Sequence, residues 1–307
     1  MKSSTLLRSF LTAVATASAV PADAQSIVLD VGRGSIGDYV VVSRSNDRSS
    51  VCDEYINPNA LGVPGCTTLD RGVGDGWSAP FSDGRGLLAG AGVEFDIGGP
   101  LSLSIDYSRV EAVFDQTVAS TNAQGVDFDK LSNELEVGQE RLGALRTYGV
   151  HGVLNLYPIR SGPIRPYGGI GLGYAALRAD FGWNWRRSAD PLAITTGRDQ
   201  PNFDEIRRNL AGTVSRGTAL FRKNVHVFVY VGGVDFAVND RWSVGVRARR
   251  LQYPSVDVGP YVGETLRSHV PNLRLDGSEP VTTWSTLPGT GVTEVGVLLK
   301  YHLHRRE

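Results

Sequence analysis

The sequence has little of several features that mark common classes of protein. Its 307 residues include two cysteines and one methionine. No stretch approaches the roughly 18 consecutive apolar residues that indicate a transmembrane helix. The formal net charge is −1, from 31 Lys and Arg against 32 Asp and Glu, so the chain does not have the basic excess of a nucleic-acid-binding protein. These absences argue against a helical membrane protein and against nucleic acid as a partner.

Glycine, by contrast, is abundant. There are 37 glycines in 307 residues, which is about 12% against an average of roughly 7%. Hydrophobic residues make up only 41% of the chain. A β-barrel in a membrane remains compatible with this composition, because its strands need apolar side chains only at alternate positions. The length alone allows two globular domains or one large β domain.

The N-terminus has the three parts of a secretory signal peptide. Lys2 and Arg8 give a positive start, an apolar stretch follows at 10–20, and Ala22-Asp23-Ala24 fits a small-x-small cleavage site. We therefore expect residues 1–24 to be a signal peptide and residues 25–307 to form one exported domain. An exported chain reaches a compartment in which disulfides persist.

The two cysteines lie in a segment rich in Gly, Pro, Asp and Asn. Cys52 and Cys66 are 14 positions apart, and a disulfide closing such a loop would contribute about 3 kcal/mol in the chain-entropy model. The alternative, a metal site, needs more ligands than two isolated cysteines supply. We expect a disulfide.

Apolar and polar residues alternate with period two in eight segments, which is typical of strands with one apolar face. Segment 87–97, for example, reads LLAGAGVEFDI, with apolar residues at its odd positions. The predicted strands are 26–42, 87–97, 101–110, 145–158, 166–183, 225–238, 241–253 and 292–303.

The connections between these strands alternate between short and long. The second and third, fourth and fifth, and sixth and seventh strands are joined by short turns, whereas the other links are long and polar: 43–85, 111–144, 184–224 and 257–291. This alternation indicates an outer-membrane barrel with short periplasmic turns and long external loops. The predicted fold is all-β, an eight-stranded antiparallel up-and-down transmembrane barrel with four long extracellular loops.

The polar strand faces carry glycine and mixed charges but almost no lysine, which fits the inside of a narrow barrel better than a solvated surface. We therefore predict that opposite charges pair across a side-chain-filled lumen. The candidates are Asp30, Glu94, Asp96, Asp106 and Glu294 on the acidic side, with Arg247, Arg249 and Lys300 on the basic side.

Aromatic residues near strand ends suggest two belts at the membrane interfaces. Those expected near the periplasmic interface are Tyr157, Tyr167 and Trp242, and those near the loops are Tyr107, Trp183, Trp185 and Tyr253. The run Trp183, Trp185, Arg186 and Arg187 is also a candidate contact patch, because exposed Trp and Arg favour recognition. Residues 203–210 (FDEIRRNL) predict one or two helical turns in the same loop.

Segment 165–175, RPYGGIGLGYA, resembles the central strand motif of the outer-membrane β-barrel family that includes OmpA-type, OmpX-type and opacity-type proteins. This resemblance implies a cell outer-membrane location, with the bilayer and its lipopolysaccharide as partners. The C-terminal His304-Arg305-Arg306-Glu307 departs from the family habit of ending on an aromatic residue. We expect no peptidoglycan-binding domain after the barrel.

Motifs for cofactors and metals are weak. The glycines of 169–173 sit at period two on a strand, without the strand–turn–helix context of a dinucleotide-binding loop. His302 and His304 share a strand face and could bind a metal in principle, but we attribute this pairing to chance. We therefore expect no cofactor and no metal site.

Three functions remain open. The preferred one is a non-enzymatic barrel, structural or acting in surface recognition, whose long loops bind a host or surface ligand. A small porin-like channel is the first alternative. The second is an outer-membrane barrel enzyme, a lipid A hydrolase or protease, in which His269 with Glu264 or Asp276 acts in the last loop.

Overall fold

The computed structural model describes residues 25–45, 51–52, 56–64, 66, 76–116, 121–122, 134–262 and 282–303. These residues contain one α-helix, α1 (Phe203–Leu210), which begins and ends where the sequence predicts it. No helix in this part of the chain is long and apolar enough to cross a membrane. The strands are β1 (Gln25–Ile36), β2 (Tyr39–Ser45), β3 (Gly76–Phe81), β4 (Gly84–Gly98), β5 (Leu101–Val113), β6 (Thr121–Asn122), β7 (Leu135–Leu142), β8 (Leu145–Leu156), β9 (Ile164–Arg187), β10 (Val214–Ala237), β11 (Trp242–Tyr253), β12 (Val256–Val262), β13 (Thr282–Leu287) and β14 (Thr290–His302).

Eight long strands close into an antiparallel barrel. Their order around the ring is β1, β4, β5, β8, β9, β10, β11, β14, and β14 pairs back with β1. Each strand therefore pairs with the next barrel strand along the chain, which is up-and-down topology. Closure leaves no unpaired edge around the ring, a requirement for strands in hydrocarbon. The predicted eight-stranded transmembrane barrel is confirmed.

Short turns lie at one end of the ring, as predicted. The tightest joins β4 to β5, where Gly98 and Gly99 have φ of 107° and 56°, a conformation that favours glycine. The two ends of the described barrel also meet at this periplasmic end, because the Leu303 amide donates to the Gln25 carbonyl at 3.0 Å. The long connections lie at the opposite, extracellular end.

The side chains are sorted in the opposite sense from a soluble protein. Apolar residues on the outer wall are exposed, as with Ile170 at 65% and Leu172 at 62%, whereas ionic residues such as Asp30 and Glu294 are buried inside at 2% and 1%. An apolar wall that the protein does not cover is stable only where another apolar medium covers it. The exposed apolar wall is therefore the surface that meets lipid, and the polar residues fill the lumen.

Glycine keeps the lumen face of β9 small. Gly169, Gly171 and Gly173 alternate with the outward-facing residues of that strand. A methyl group at Gly173 would come within 2.8 Å of the Val150 carbonyl oxygen and 2.9 Å of the Val227 side chain. The period-two glycines thus leave room for neighbouring side chains that reach across the interior.

The barrel wall continues beyond the membrane as a second sheet. Its order, β12, β13, β2, β3, β6, repeats the order of the barrel strands β11, β14, β1, β4 and β5 below it. Breaks of two residues separate most of these pairs, at 37–38, 82–83, 254–255 and 288–289. The predicted long connections 43–85, 111–144 and 257–291 are therefore wrong in part, because each contains strands. Their irregular hydrophobic pattern hid these short extensions.

Strands β9 and β10 run on without a break for 24 residues each. The sequence placed the start of the second of them at residue 225, whereas it begins at Val214. Arg222, Lys223 and Asn224 are all exposed, so alternation is interrupted there although the pairing with β9 is continuous. The sequence pattern therefore showed only the membrane-spanning half of the strand.

Candidate functional site

A lysine-centred cluster fills the periplasmic part of the lumen. The Lys300 ammonium donates to Glu94 at 2.7 Å, to Asp235 at 2.6 Å and to the Tyr157 hydroxyl at 2.8 Å. All three of its donors are thus used. Tyr157 in turn donates to Glu94 at 2.8 Å, and Ser102 donates to the same carboxylate at 2.8 Å. The network ties β4, β10 and β14 together across the interior.

An arginine-centred cluster occupies the next layer. Arg247 pairs with Asp30 and, at 3.4 Å, with Asp106. Arg249 donates through Nε to Glu294 at 2.8 Å and lies 3.4 Å from Asp30. These five side chains are each less than a tenth exposed. The charges of both clusters are therefore held in the interior by partners on other strands, as buried ions require.

Seven of the eight predicted lumen residues lie in these two clusters. The exception is Asp96, which sits at the end of β4 and pairs with Arg160, partly in contact with solvent. The sequence missed Asp235, which is 4% exposed. A signal for it existed, since Asp235 has the same odd parity as the inward-facing Val227 and Val229 of β10.

The lumen histidines differ in their surroundings. His302 is bracketed by two hydroxyl groups, with Ser26 at 2.7 Å from Nδ1 and Ser243 at 2.9 Å from Nε2. His151 is fully buried, and neither ring nitrogen has a hydrogen-bond partner among the described residues. His226 faces outward instead and lies beside Tyr174, with ring centroids 5.3 Å apart. Within the described chain, no three His, Cys, Asp or Glu side chains are grouped to hold a metal ion.

Little space remains between the side chains of the lumen. A cavity of about 10 Å³ lies between the two clusters, where Glu94, Asp106, Tyr167, Arg247 and Lys300 form part of its lining. That volume is room for about one water molecule. The charged layers therefore act as a plug across the lower barrel.

Above the charged layers, the extracellular part of the barrel is filled by aromatic side chains. The Trp77 ring lies 5.3 Å from Trp183 and 5.3 Å from Trp185, both edge-on. Phe181 packs against Trp183 at 5.9 Å and against Phe81 at 6.2 Å. Edge-to-face contacts at these distances are favourable beyond the area they bury. The lumen is closed a second time by this aromatic plug.

The predicted contact patch is mostly turned inward. Trp183 is only 3% exposed, and Trp185 packs against the same core, so neither offers an open recognition surface. Arg187 reaches the buried Glu134 at 3.5 Å. Arg186 alone of the four is exposed, and it pairs with Glu136 at 2.7 Å.

The predicted aromatic belts are also wrong in part. Tyr157, Tyr167 and Tyr253 are less than a tenth exposed and point into the lumen. Trp242 does lie on the outer wall, 39% exposed, beside Tyr301 at 4.8 Å. A position near a strand end does not show whether a side chain faces the lumen or the lipid. The odd or even position along the strand does.

The first and third external loops are joined by a small core of their own. Ile56 of the first loop is buried against Ile194, Ile206 and Leu210 of the third, the last two on α1. Asn209 of α1 donates to the Ile56 carbonyl at 3.0 Å. These contacts define a loop platform, formed by residues 51–66 of the first loop, as far as described, and residues 188–213.

Polar groups and a disulfide brace the loop platform. Cys52 and Cys66 are joined by a disulfide with Cα atoms 5.2 Å apart. Asn202 donates to the Asn57 side chain at 2.7 Å, and Asn57 donates to the Val51 carbonyl at 2.8 Å. The first loop is therefore both closed on itself and attached to the third.

The segment before β7 is attached to the platform through one carboxylate. Glu134 is fully buried and accepts hydrogen bonds from the amides of Thr195 and Thr196, each at 2.6 Å. The hydroxyl groups of Thr195 and Thr196 donate to the same carboxylate. Burial alone would raise the pKa of Glu134, but the bonds from the Thr195 hydroxyl, the Thr195 amide and the Thr196 hydroxyl, with the charge of Arg187, hold it below its ordinary value. The carboxylate stays ionised and fixes the third loop against the barrel rim.

A second buried carboxylate lies in the aromatic plug, above the membrane-spanning segments. Glu140 of β7 is opposite Trp183 in the register with β9. Gln116 donates to its Oε2 at 3.0 Å, and its backbone amide donates to Gln116 at 3.2 Å. No cation pairs with Glu140 among the described residues. Burial accordingly raises the pKa of Glu140 to about 7.

His269, Glu264 and Asp276, the candidates for an enzymatic role, lie outside the described residues. His304 does so as well.

Sequence comparison identifies the family. The family described as outer membrane protein beta-barrel domain matches residues 10–275. No functionally curated protein matches the chain. Among solved structures, OprG from Pseudomonas aeruginosa is 10% identical over 91% of this chain and 97% of its own, with a TM-score of 0.43. Neisserial surface protein A is 10% identical over 91% and 97%, with a TM-score of 0.36. The protease OmpT from Escherichia coli is 7% identical over 90% and 96%, with a TM-score of 0.37.

The lysine-centred cluster makes a first prediction. Replacing Lys300 by Met leaves the Glu94 and Asp235 carboxylates buried without their cation, which costs about 3–5 kcal/mol. We expect the free energy of unfolding in urea, measured on refolded protein in detergent micelles, to fall by that amount. Adding Glu94→Gln and Asp235→Asn to the same variant removes the stranded charges and should recover most of the loss.

The matched control is Arg160→Gln, which breaks the partly exposed pair with Asp96 and should cost less than about 1 kcal/mol. Equal losses for Lys300→Met and Arg160→Gln would show that the buried network does not stabilise the barrel.

Glu140 makes a prediction about pH. Its pKa is about 7 when folded against 4.5 when free, so its contribution to stability is present below pH 4.5 and is lost as pH rises through 7. Relative to Glu140→Gln, the free energy of unfolding of the wild type should fall by about 3 kcal/mol over this interval. Urea titrations of both proteins at about pH 5, 6, 7 and 8 measure this difference in the free energy of unfolding. Parallel curves for the two proteins would contradict the assignment.

Proposed function

Since this chain belongs to the outer membrane protein β-barrel family, we propose that it is a non-enzymatic surface protein with a side-chain-filled lumen, which recognises a ligand through its external loops. The observation that carries the proposal is the double closure of the lumen, by ion pairs below and by aromatic rings above. A barrel closed in this way presents only its loops to the outside. We propose further that residues 1–24 are a cleaved signal peptide that directs export.

The construction of the loops supports recognition as their role. Ile206 and Leu210 are fully buried within the loop platform, and a disulfide and side-chain amides fix the first loop to it. Binding costs less when the loops are ordered beforehand. The proposed partner is a host or surface ligand.

A small porin-like channel is the alternative, and it makes an opposite electrical prediction. In planar bilayers the wild type should give no large, stable single-channel current, because both plugs must move to open a path. Lys300→Met, which loosens the lower plug alone, should stay closed as well, since the aromatic plug above is unchanged. Stable openings of the wild-type protein would contradict the filled lumen and favour the channel.

The recognition role is tested with a variant that releases the loops. Ile206→Asp places a charge in the core of the loop platform, where the side chain is 0% exposed, and should unfold the platform without touching the barrel. Protein in nanodiscs is applied to immobilised extracellular-matrix glycoproteins and sulfated glycans, with binding measured by biolayer interferometry. We expect the wild type to bind at least one probe and Ile206→Asp to lose that binding.

Ile159→Asp is the matched control, because it makes the same substitution at a residue that is 52% exposed in the turn between β8 and β9, at the periplasmic end and away from the loops. It should fold and bind as the wild type does. Equal binding by Ile206→Asp, or no binding by the wild type to any probe, would count against loop recognition.

A further inference from the structure

The outer wall carries arginines at the extracellular ends of its strands. Seven of the eight barrel strands have an exposed arginine on the outer face: Arg33, Arg85, Arg109, Arg146, Arg178, Arg222 and Arg250. On β9 the change is abrupt, since Ile170, Leu172 and Tyr174 are apolar or aromatic and Arg178 follows on the same face. The arginines thus stand where the lipid-facing wall ends.

Three of these arginines lie side by side. Arg146 is directly opposite Arg178 in the register of β8 with β9, and Arg178 is directly opposite Arg222 in the register of β9 with β10. Side chains opposite each other in a sheet have Cβ atoms about 5 Å apart, and like charges in such positions repel. We call Arg146, Arg178 and Arg222 the arginine row. Its three parallel charges are unfavourable unless an anion joins them.

The protein itself supplies only part of the negative charge that would neutralise the row. Glu111, at the β5 end of the row, accepts from Arg146 at 3.0 Å and from Arg109 at 3.0 Å. Among the described residues no carboxylate lies within ion-pair distance of Arg178 or Arg222. Arg178 instead lies over the Tyr148 ring, 5.8 Å from its centroid. Asp180, exposed two residues beyond Arg178 on the same face of β9, attracts Arg146 only at longer range. One carboxylate in direct contact and a second at longer range thus face the three guanidinium groups of the row and Arg109 beside them.

Two arginines at the opposite end of the barrel donate to other groups of the protein. Arg160 pairs with Asp96 and donates to the Leu101 carbonyl. Arg165 donates to the Gly162 carbonyl at 3.1 Å. In the register of β9 with β10, Arg165 stands opposite Asp235 and not opposite another arginine. The side-by-side placement of arginines is therefore a property of the extracellular end.

We propose that the arginine row binds the phosphate groups of lipopolysaccharide in the outer leaflet, and that the other outward arginines extend this contact around the barrel. The apolar wall directly below the row must be covered by acyl chains, which places lipid headgroups at the height of the guanidinium groups. Arginine forms bidentate bonds with phosphate, and its planar group suits closely spaced anions. A lipid with phosphates fixed to its head neutralises adjacent arginines at once. This site is separate from the loop platform and does not depend on it.

The test compares two charge-matched variants in detergent micelles. The row variant carries Arg146→Gln, Arg178→Gln and Arg222→Gln. The control carries Arg165→Gln, Arg208→Gln and Arg241→Gln, three exposed or partly exposed arginines outside the row. Binding of bisphosphorylated lipid A is measured by microscale thermophoresis, beside dephosphorylated lipid A and inorganic phosphate. Heat-modifiable migration on a gel checks that each barrel is folded.

We expect the wild type and the control to bind phosphorylated lipid A alike, and the row variant to bind it at least roughly tenfold more weakly. Dephosphorylated lipid A should bind the wild type no better than it binds the row variant, and inorganic phosphate should not compete at equal phosphate concentration. The affinity should also decline with added salt, because the site is exposed.

Equal affinity of the row variant and the control for phosphorylated lipid A would overturn the proposal. Equal affinity of the wild type for phosphorylated and dephosphorylated lipid A would overturn it as well, since acyl chains alone would then account for binding. Competition by inorganic phosphate would show an anion site without lipid selectivity and would overturn the lipid assignment. None of these outcomes bears on the loops, so the proposed surface recognition is tested independently.

Discussion

The structure depends on one constraint, which is that the barrel buries its polar side chains and exposes its apolar ones. The outer wall must be apolar because hydrocarbon offers no hydrogen bonds, and polar residues on the strands must therefore face inward. Once inside, each charge has to find its partner in a space one or two side chains wide. The Lys300 ammonium, which reaches strands on three sides, is the clearest result of that constraint. The glycines of β9 follow from it too, since larger residues would occupy the space such groups need.

The interior has an ionic lower part and an aromatic upper part, because the medium around the barrel changes from lipid to water along its axis. Where lipid surrounds the barrel, alternate residues are polar, and the lumen is held by ion pairs. Beyond the lipid the second sheet rises into water, so apolar residues return to the inside, as Trp77 and Phe81 of β3 do. The short breaks, such as 37–38 and 82–83, mark this change. The aromatic plug is thus an ordinary hydrophobic core built on top of a barrel.

Much of the barrel could be predicted from the sequence, because period-two alternation and the alternation of short and long links are local signals. The same parity, applied further, would have placed Trp183 correctly. It is odd-numbered on a strand whose outward residues, Ile170 and Leu172, are even-numbered. The short strands of the second sheet were not predictable, since β3 and β13 have six residues each and their partners are distant in sequence. The contact of Ile56 with α1 was not predictable for the same reason.

Parity also assigns opposite roles to chemically identical neighbours. Arg249 points inward and is 2% exposed between Glu294 and Asp30. Arg250, the next residue, points outward and bonds the Thr293 hydroxyl at 2.6 Å. The inward guanidinium is neutralised by the protein, because a buried charge without a partner is too costly to keep. The outward one lies at the lipid boundary, within reach of the phosphate groups that we propose as partners of the outward arginines. A single strand thus stabilises the barrel from one face and meets the bilayer with the other.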